Sequence, residues 1–215
     1  MKVAILFSGG KDSAYATHLC LSWGWEVIWV TVLPQKDSMM FHHPNVKWCK
    51  LQAQASGIKI HEIKTTHKNE LEDLQKKLKK LKIDGIVTGA IASDYQRQRI
   101  EIIGDALGIP TFNPLWHKGE EFLKQMLEEM QVYIASVSAE GLGEKWLAKE
   151  FLPNDVDILS AMKPPISPYL EGGEGETFVT DAPFFKKRIQ ILEWEKSFKG
   201  MAGKAVIKKA KLVKK

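Results

Sequence analysis

The sequence predicts an α/β fold: a doubly wound parallel five-stranded sheet with a smaller C-terminal α+β lobe. Three observations carry that expectation. Strand-like and helix-like segments alternate five times up to Phe112. The second strand, Glu26-Val-Ile-Trp-Val-Thr-Val-Leu33, is a near-continuous apolar run, which burial on both faces demands. After Trp116 the rhythm changes to shorter helices, a proline-rich break and late strands.

Each element follows from local chemistry. Lys2 to Phe7 is an apolar run of β type, broken by Ser8-Gly9-Gly10. Residues 12–23 read as a helix with Ala14, Ala16, Leu19, Cys20 and Trp23 at helical spacing, and Gly24 stops it. Pro34 ends the second strand, and a loop runs from Gln35 to Pro44. Residues 45–56 are helical, residues 58–63 form the third strand, and Lys68 to Leu81 is a polar helix with Leu71, Leu74, Leu78 and Leu81 on one stripe. A short buried strand at 85–89, a helix at 94–107 closed by Gly108, and a strand at 109–112 complete the first region. Beyond it come a helix at 120–130, a strand at 132–137, short helices at 144–150 and 155–162, a strand in 169–181, and strands at 187–194 and 205–213. The predicted boundary gives regions 1–117 and 118–215.

At 215 residues, 44% apolar and 27% charged, the composition is that of an ordinary globular chain. No apolar run approaches the ~20 residues of a membrane span, and no signal peptide is legible, so the expectation is a cytoplasmic protein without a membrane partner. Cys20 and Cys49 are too few for a disulfide framework and lack metal-type spacing. The net charge of +5 is uneven. Residues 186–215 hold 11 Lys or Arg against two Glu, so the rest carries −4. A solvated, lysine-protected edge accounts for this excess better than a nucleic-acid surface.

In such sheets ligands sit at the carboxyl ends of strands. Three loops there are rich in polar chemistry: 8–13, 34–44 and 89–99. In the first, two glycines let an anion approach the main chain at a helix N-terminus, Lys11 adds a charge, Ser8 and Ser13 add hydroxyls, and Asp12 could hold magnesium. It is neither a GxxxxGK[ST] loop nor a dinucleotide fingerprint, since Ile5, Asp12 and Ser13 stand where those need other residues. In the third, Ser93 or Asp94 caps a helix whose first turn carries Tyr95 and Arg97. An arginine there opposes the helix dipole, so it either serves a phosphate or carboxylate or pairs with Glu101 four residues on. Further along, Glu171-Gly-Gly-Glu-Gly-Glu-Thr177 sets three carboxylates within six residues. On a strand Glu174 and Glu176 would share a face, at a repulsive cost that suggests a bound cation. In Met40-Phe41-His42-His43-Pro44 one histidine is read as lining a pocket.

SGGKDS at 8–13, MFHHPN at 40–45, GAIASDYQRQRIE at 89–101, NPLW at 113–116 and EGGEGETFVTDAPFF at 171–185 together resemble the diphthine–ammonia ligases, a branch of the N-type (PP-loop) ATP pyrophosphatases. The resemblance implies an adenine-nucleotide alpha-hydrolase-like fold and ATP-dependent amidation. The carboxylate of diphthine on translation elongation factor 2 is adenylated, pyrophosphate leaves, and ammonia displaces AMP. It implies ATP and Mg2+, with Ser8, Gly9, Gly10, Lys11, Asp12, Ser13, Gly89 and Ser93 at the nucleotide and Asp12 on the metal. It assigns His42, Asp94, Tyr95, Arg97, Glu171, Gly172, Gly173, Glu174, Glu176 and Thr177 to the substrate side. The expected catalytic set is Lys11, Asp12, Arg97 and Glu174, with Glu174 holding ammonium or the cationic diphthine head. His43 and Ala148 depart from the pattern, the latter standing where glycine is expected. Extra C-terminal domains of some relatives are not seen, so free ammonium is the expected nitrogen source, and a homo-oligomer stays open. Adenylation of a tRNA base or another small acid is the alternative, though sulfur-transferring relatives need more cysteines.

Overall fold

A computed structural model describes residues 1–33, 44–65 and 70–215. Strands β1 (Lys2–Leu6), β2 (Glu26–Leu33), β3 (Ile60–Lys64), β4 (Gly85–Val87) and β5 (Thr111–Phe112) form one parallel sheet in the order β3-β2-β1-β4-β5. Alternate strand residues feed two separate cores. Val3, Ile5, Phe7 and Trp29 pack with Ala14, Ala16 and Cys20 of α1 (Lys11–Ser22) and Cys49 and Ala53 of α2 (Cys49–Ser56). Ala4, Ile28, Val30, Val32 and Ile86 pack with Leu74 and Leu78 of α3 (Glu70–Lys80) and Ile100 and Ile103 of α4 (Asp94–Leu107). Both faces are therefore covered, as the apolar strand runs demand, and each of the Val, Leu, Ile and Phe side chains contributes about 1.5–3 kcal/mol by leaving water. Trp29 is wholly buried, stacks on Phe7 at 3.6 Å between ring centres, and donates its indole N–H to Thr17. The order of strands reverses between β1 and β4, which makes their carboxyl ends the crevice of the sheet.

A second, antiparallel sheet runs β7-β6-β9-β8, from β6 (Gln131–Ser138), β7 (Gly175–Asp181), β8 (Lys187–Lys199) and β9 (Ala202–Lys214). Helix α5 (Glu120–Glu129) buries Leu123, Met126 and Leu127, and α6 (Pro153–Ser160) buries Val156 and Leu159. Val132, Ile134, Phe178, Val179, Ala205 and Ile207 of this sheet join the core over α1 and α2. Polar contacts fasten the junction: the Asn45 amide side chain pairs with Ala205 O and Ile207 N, and Lys186 N donates to Ala55 O. As a result β7 lies against the loop that follows β1, with Val179 N donating to Gly9 O at 3.0 Å.

Several expected bounds shift, for tertiary reasons. The helix expected at 144–150 is a single 3-10 turn, Glu144–Trp146. After it the backbone pairs with β6, through Ala148 N to Ile134 O and Ile134 N to Lys149 O, and that pairing overrides helix propensity. Helix α6 starts at Pro153, whose fixed φ suits the first helical position, rather than at Asp155. The last two strands are longer than their apolar alternation suggests and form one hairpin turning at Gly200-Met201, with lysines paired across it, as Lys208 is with Glu195. Strand β7 begins only at Gly175, so Glu174 lies in a turn and shares no strand face with Glu176. Gly173 has φ +93°, which breaks the extended backbone there. Among the described residues no helix is long and apolar enough to cross a membrane.

Candidate active site

Strand β1 hands over to its loop while still tied to the sheet: Phe7 N donates to Val30 O, and the Thr31 hydroxyl donates to Phe7 O. Ser8, Gly9 and Gly10 then leave the sheet, and α1 opens at Lys11 with no side-chain cap from Gly10. The turn is fixed from below. Gly9 adopts φ +86°, and its carbonyl accepts from both Val179 N and Gln52 Nε2. Gln52 is fully buried and also donates to Val179 O, so one side chain joins the loop to β7. Ser13 Oγ accepts from the Ser8 amide and donates to Gly10 O. The Lys11 amide donates to the Thr177 hydroxyl at 3.0 Å.

Lys11 is 2% exposed. Its ammonium donates to Asp12 Oδ2 at 2.9 Å and to the Tyr169 carbonyl. Asp12 Oδ1 is buried without a hydrogen-bond partner. Burial above all, with the nearby Glu176 charge, raises the Asp12 pKa against the pull of Lys11. An orphaned acceptor of this kind suits a cation. Among the described residues no three His, Cys, Asp or Glu gather into a metal site, and Asp12 is the residue here that would hold a cation.

Around this turn lies a cavity of about 140 Å³. Its polar wall is Ser8, Gly10, Lys11, Asp12 and Ser13, and Thr88, Gly89 and Ala90 face it from the end of β4. Glu171, Gly175, Glu176 and Thr177 form the side nearest the second sheet. The back is apolar, from Leu6, Val30, Val32 and Ile100, with Gln96 beside them. Gly89 abuts the start of α1: a Cβ there would stand 2.6 Å from the Asp12 carbonyl carbon and 2.7 Å from Ser13 N. Glu171 ties the next residues, accepting from Ile91 N at 2.8 Å and Ala92 N at 2.7 Å. Burial, then the Asp12 charge, raises its pKa, while the two amides and Lys11 oppose the shift.

The structure thus gathers Ser8, Gly10, Lys11, Asp12, Ser13, Gly89, Glu171, Glu176 and Thr177 on one cavity, with Gly9 beneath it. It sets the other expected residues apart. Ser93 caps α4 through Gln96 N. Arg97 pairs with Asp94 and Glu101 and lies over the Trp116 ring, so its charge is matched within its own helix. Tyr95 is half exposed, stacked by Arg99. Gly172 and Gly173 are exposed, and Glu174 folds back toward Gly172 with its Oε2 buried and unpartnered. His42 lies outside the described residues. The sequence reading passed over Thr88, Gln96, Ile100 and Gln52. Gln96 and Ile100 are four apart on one helix face, a spacing that could have found them; Gln52 carries no local signal. Burial pushes the Cys20 thiol up to about 12 and the Cys49 thiol higher still, so neither is a ready nucleophile.

Two family models match the chain: the diphthamide synthase N-terminal domain over residues 1–111 and the diphthamide synthase C-terminal domain over residues 118–213. A Schizosaccharomyces pombe protein named diphthine–ammonia ligase is 32% identical over 91% of this chain, which spans 37% of that relative's length. The proteins of that name from Bos taurus and Homo sapiens are 32% and 31% identical over 89% of this chain and 83% of their own. Among solved structures, a predicted subunit of tRNA methyltransferase from Methanocaldococcus jannaschii shares 18% identity at a TM-score of 0.48, over 85% of this chain and 98% of that one. That likeness is too weak to bear on function.

Proposed function

The chain belongs to the diphthamide synthase family, and from that premise we propose that it is an ATP-dependent ligase that turns the carboxylate of diphthine on elongation factor 2 into an amide. The observation that carries this reading is the meeting of Lys11 and Asp12 with Glu176 and Thr177 on one cavity, behind which lies an apolar slot. The slot of Leu6, Val30, Val32 and Ile100 suits a flat base, and the Ser8–Ser13 turn suits the phosphates. A substrate carboxylate oxygen attacks the α-phosphorus, the bond from that phosphorus to its bridging oxygen breaks, and pyrophosphate departs. Ammonia then attacks the acyl carbon, the carbon–oxygen bond to AMP breaks, and the nitrogen sheds a proton to a wall carboxylate. Lys11 offsets charge growing on pyrophosphate, in a recess where such charge is poorly screened. Asp12 would hold a magnesium ion, which supplies charge neutralisation on the phosphates. Glu176, on the cavity wall, takes the ammonium role better than Glu174, which stands off it.

The test is to incubate the chain with ATP, magnesium, ammonium and diphthine-bearing elongation factor, and to follow AMP release and the mass of the factor. Wild type should form AMP and convert the factor's acid to its amide. Lys11→Ala and Asp12→Ala should lose at least ~100-fold in AMP formation with unaltered circular dichroism. Near wild-type turnover in both variants overturns the assignment of the loop.

A further inference from the structure

The three residues Tyr169-Leu170-Glu171, in the segment that leads into β7, border the cavity and hold both of its loops. The Tyr169 carbonyl accepts from the Lys11 ammonium. Leu170 is buried and holds φ +58°, a conformation that a side chain as large as leucine adopts only under constraint. Glu171 spends both carboxylate oxygens on backbone amides, Oε1 on Ile91 and Oε2 on Ala92. Resting on the functional reading above, we infer that Glu171 is a positioning residue of the nucleotide site, acting through the segment Gly89–Ala92, and that it does not contact the acyl substrate.

Two arguments support that division of labour. First, releasing Glu171 toward a substrate would break two charge-assisted hydrogen bonds and leave the part-buried Ile91 amide without its partner. Second, the segment it anchors touches the reacting loop directly. Gly89 is in backbone contact with Asp12 and Ser13, so a drift of 89–92 moves the phosphate-binding wall. A displacement of ~1 Å at such a wall is enough to cost about 100-fold in rate. The raised pKa of Glu171 agrees with a carboxylate held in place at an electrostatic cost.

The experiment compares Glu171→Gln and Glu171→Ala with wild type in three measurements. The KM for ATP should rise about tenfold or more in Glu171→Ala and less in Glu171→Gln, which keeps one acceptor, while the KM for the diphthine-bearing factor stays within about twofold. Hydrogen exchange at the Ile91 and Ala92 amides should quicken in Glu171→Ala without any ligand present. Equilibrium binding of a non-hydrolysable ATP analogue should weaken in parallel, and this arm needs no turnover. A raised KM for the factor with an unchanged KM for ATP overturns the inference, as does unchanged exchange at both amides. If wild type makes no AMP, the functional reading fails while the exchange and analogue-binding arms still decide the role of Glu171. Should Glu171→Ala fail to fold, Glu171→Gln carries the same three measurements.

Discussion

Two glycine-rich polar turns border the cavity, and they use glycine differently. In Ser8–Ser13 glycine permits close approach. Gly9 is pressed on the buried Gln52 and Cys49 side chains, and Gly10 lies beside the side chain and carbonyl of the buried Thr177. In Glu171–Glu174 the glycines make a bend: Gly172 and Gly173 are exposed, and the carboxylates of Glu171, Glu174 and Glu176 go three ways. Glu171 binds amides, Glu174 folds back, and Glu176 faces the cavity. A close-approach turn has one usable shape, whereas a bend distributes its side chains according to whatever surrounds it.

The largest expected effect tests that contrast at matched distances. A Cβ at Gly89 would stand 2.6 Å from the Asp12 carbonyl carbon, and one at Gly172 would stand 2.7 Å from Glu174 Oε1. The first obstacle is backbone and the second is the end of a flexible side chain. Gly89→Ala should therefore cut ATP-dependent AMP formation by about 100-fold, and Gly172→Ala by no more than a few-fold. Steady-state rates of the two purified variants check this. Equal losses would mean that the bend is as exacting as the loop.

The same contrast explains what could be read from the residues alone. The parallel sheet was legible because apolar runs and stop signals are local. That residues 8–13 would lie on a cavity was legible because glycines, hydroxyls, a lysine and a carboxylate cluster there at a strand-to-helix junction. Arg97 shows the limit: its conflict with the helix dipole was visible, but only the structure shows Asp94, Glu101 and Trp116 absorbing the charge. The Glu174–Glu176 pairing failed because alternation assumes a strand, and Gly173 interrupts it. Gln52 was beyond reach, since its partners Gly9 and Val179 are brought to it by tertiary packing alone.

Next in size is a stability effect at the rigid turn. Asp12 has its pKa raised above the ordinary 3.8, burial being the main cause. The folded chain then binds this proton more tightly than the unfolded chain does. The Asp12 contribution therefore favours folding below the unfolded value and is lost as pH rises through the folded one. At pH values above the unfolded pKa the carboxyl group therefore opposes folding, and replacing it with a neutral amide should help. Asp12→Asn should melt higher than wild type at about pH 7, with the gap narrowing as pH falls toward ~4. Activity should be lost in the same variant, which is the expected trade at a site that stores an unfavourable charge. A lower melting temperature for Asp12→Asn at neutral pH would mean that the Lys11 pairing outweighs burial.

The smallest effect concerns left-handed backbone away from both turns. Gly9 and Gly173 meet positive φ with glycine, but Ala148 does so at +57° with a side chain. An L-residue there costs roughly 1–2 kcal/mol, while glycine loses about 0.5–1 kcal/mol more chain entropy on folding. The difference favours Ala148→Gly by about 0.5 kcal/mol, or ~1–2 °C in melting temperature for a chain of this size. Ala161 supplies the opposite sign, because it closes α6 at φ −83°, where alanine is unstrained and exposed. Ala161→Gly should lower the melting temperature by about 1–3 °C, since only the entropy cost remains. Neither residue lines the cavity, so AMP formation should stay at the wild-type rate in both. If both substitutions lower the melting temperature equally, the backbone at Ala148 carries no strain, and its pairing with Ile134 is what sets that turn.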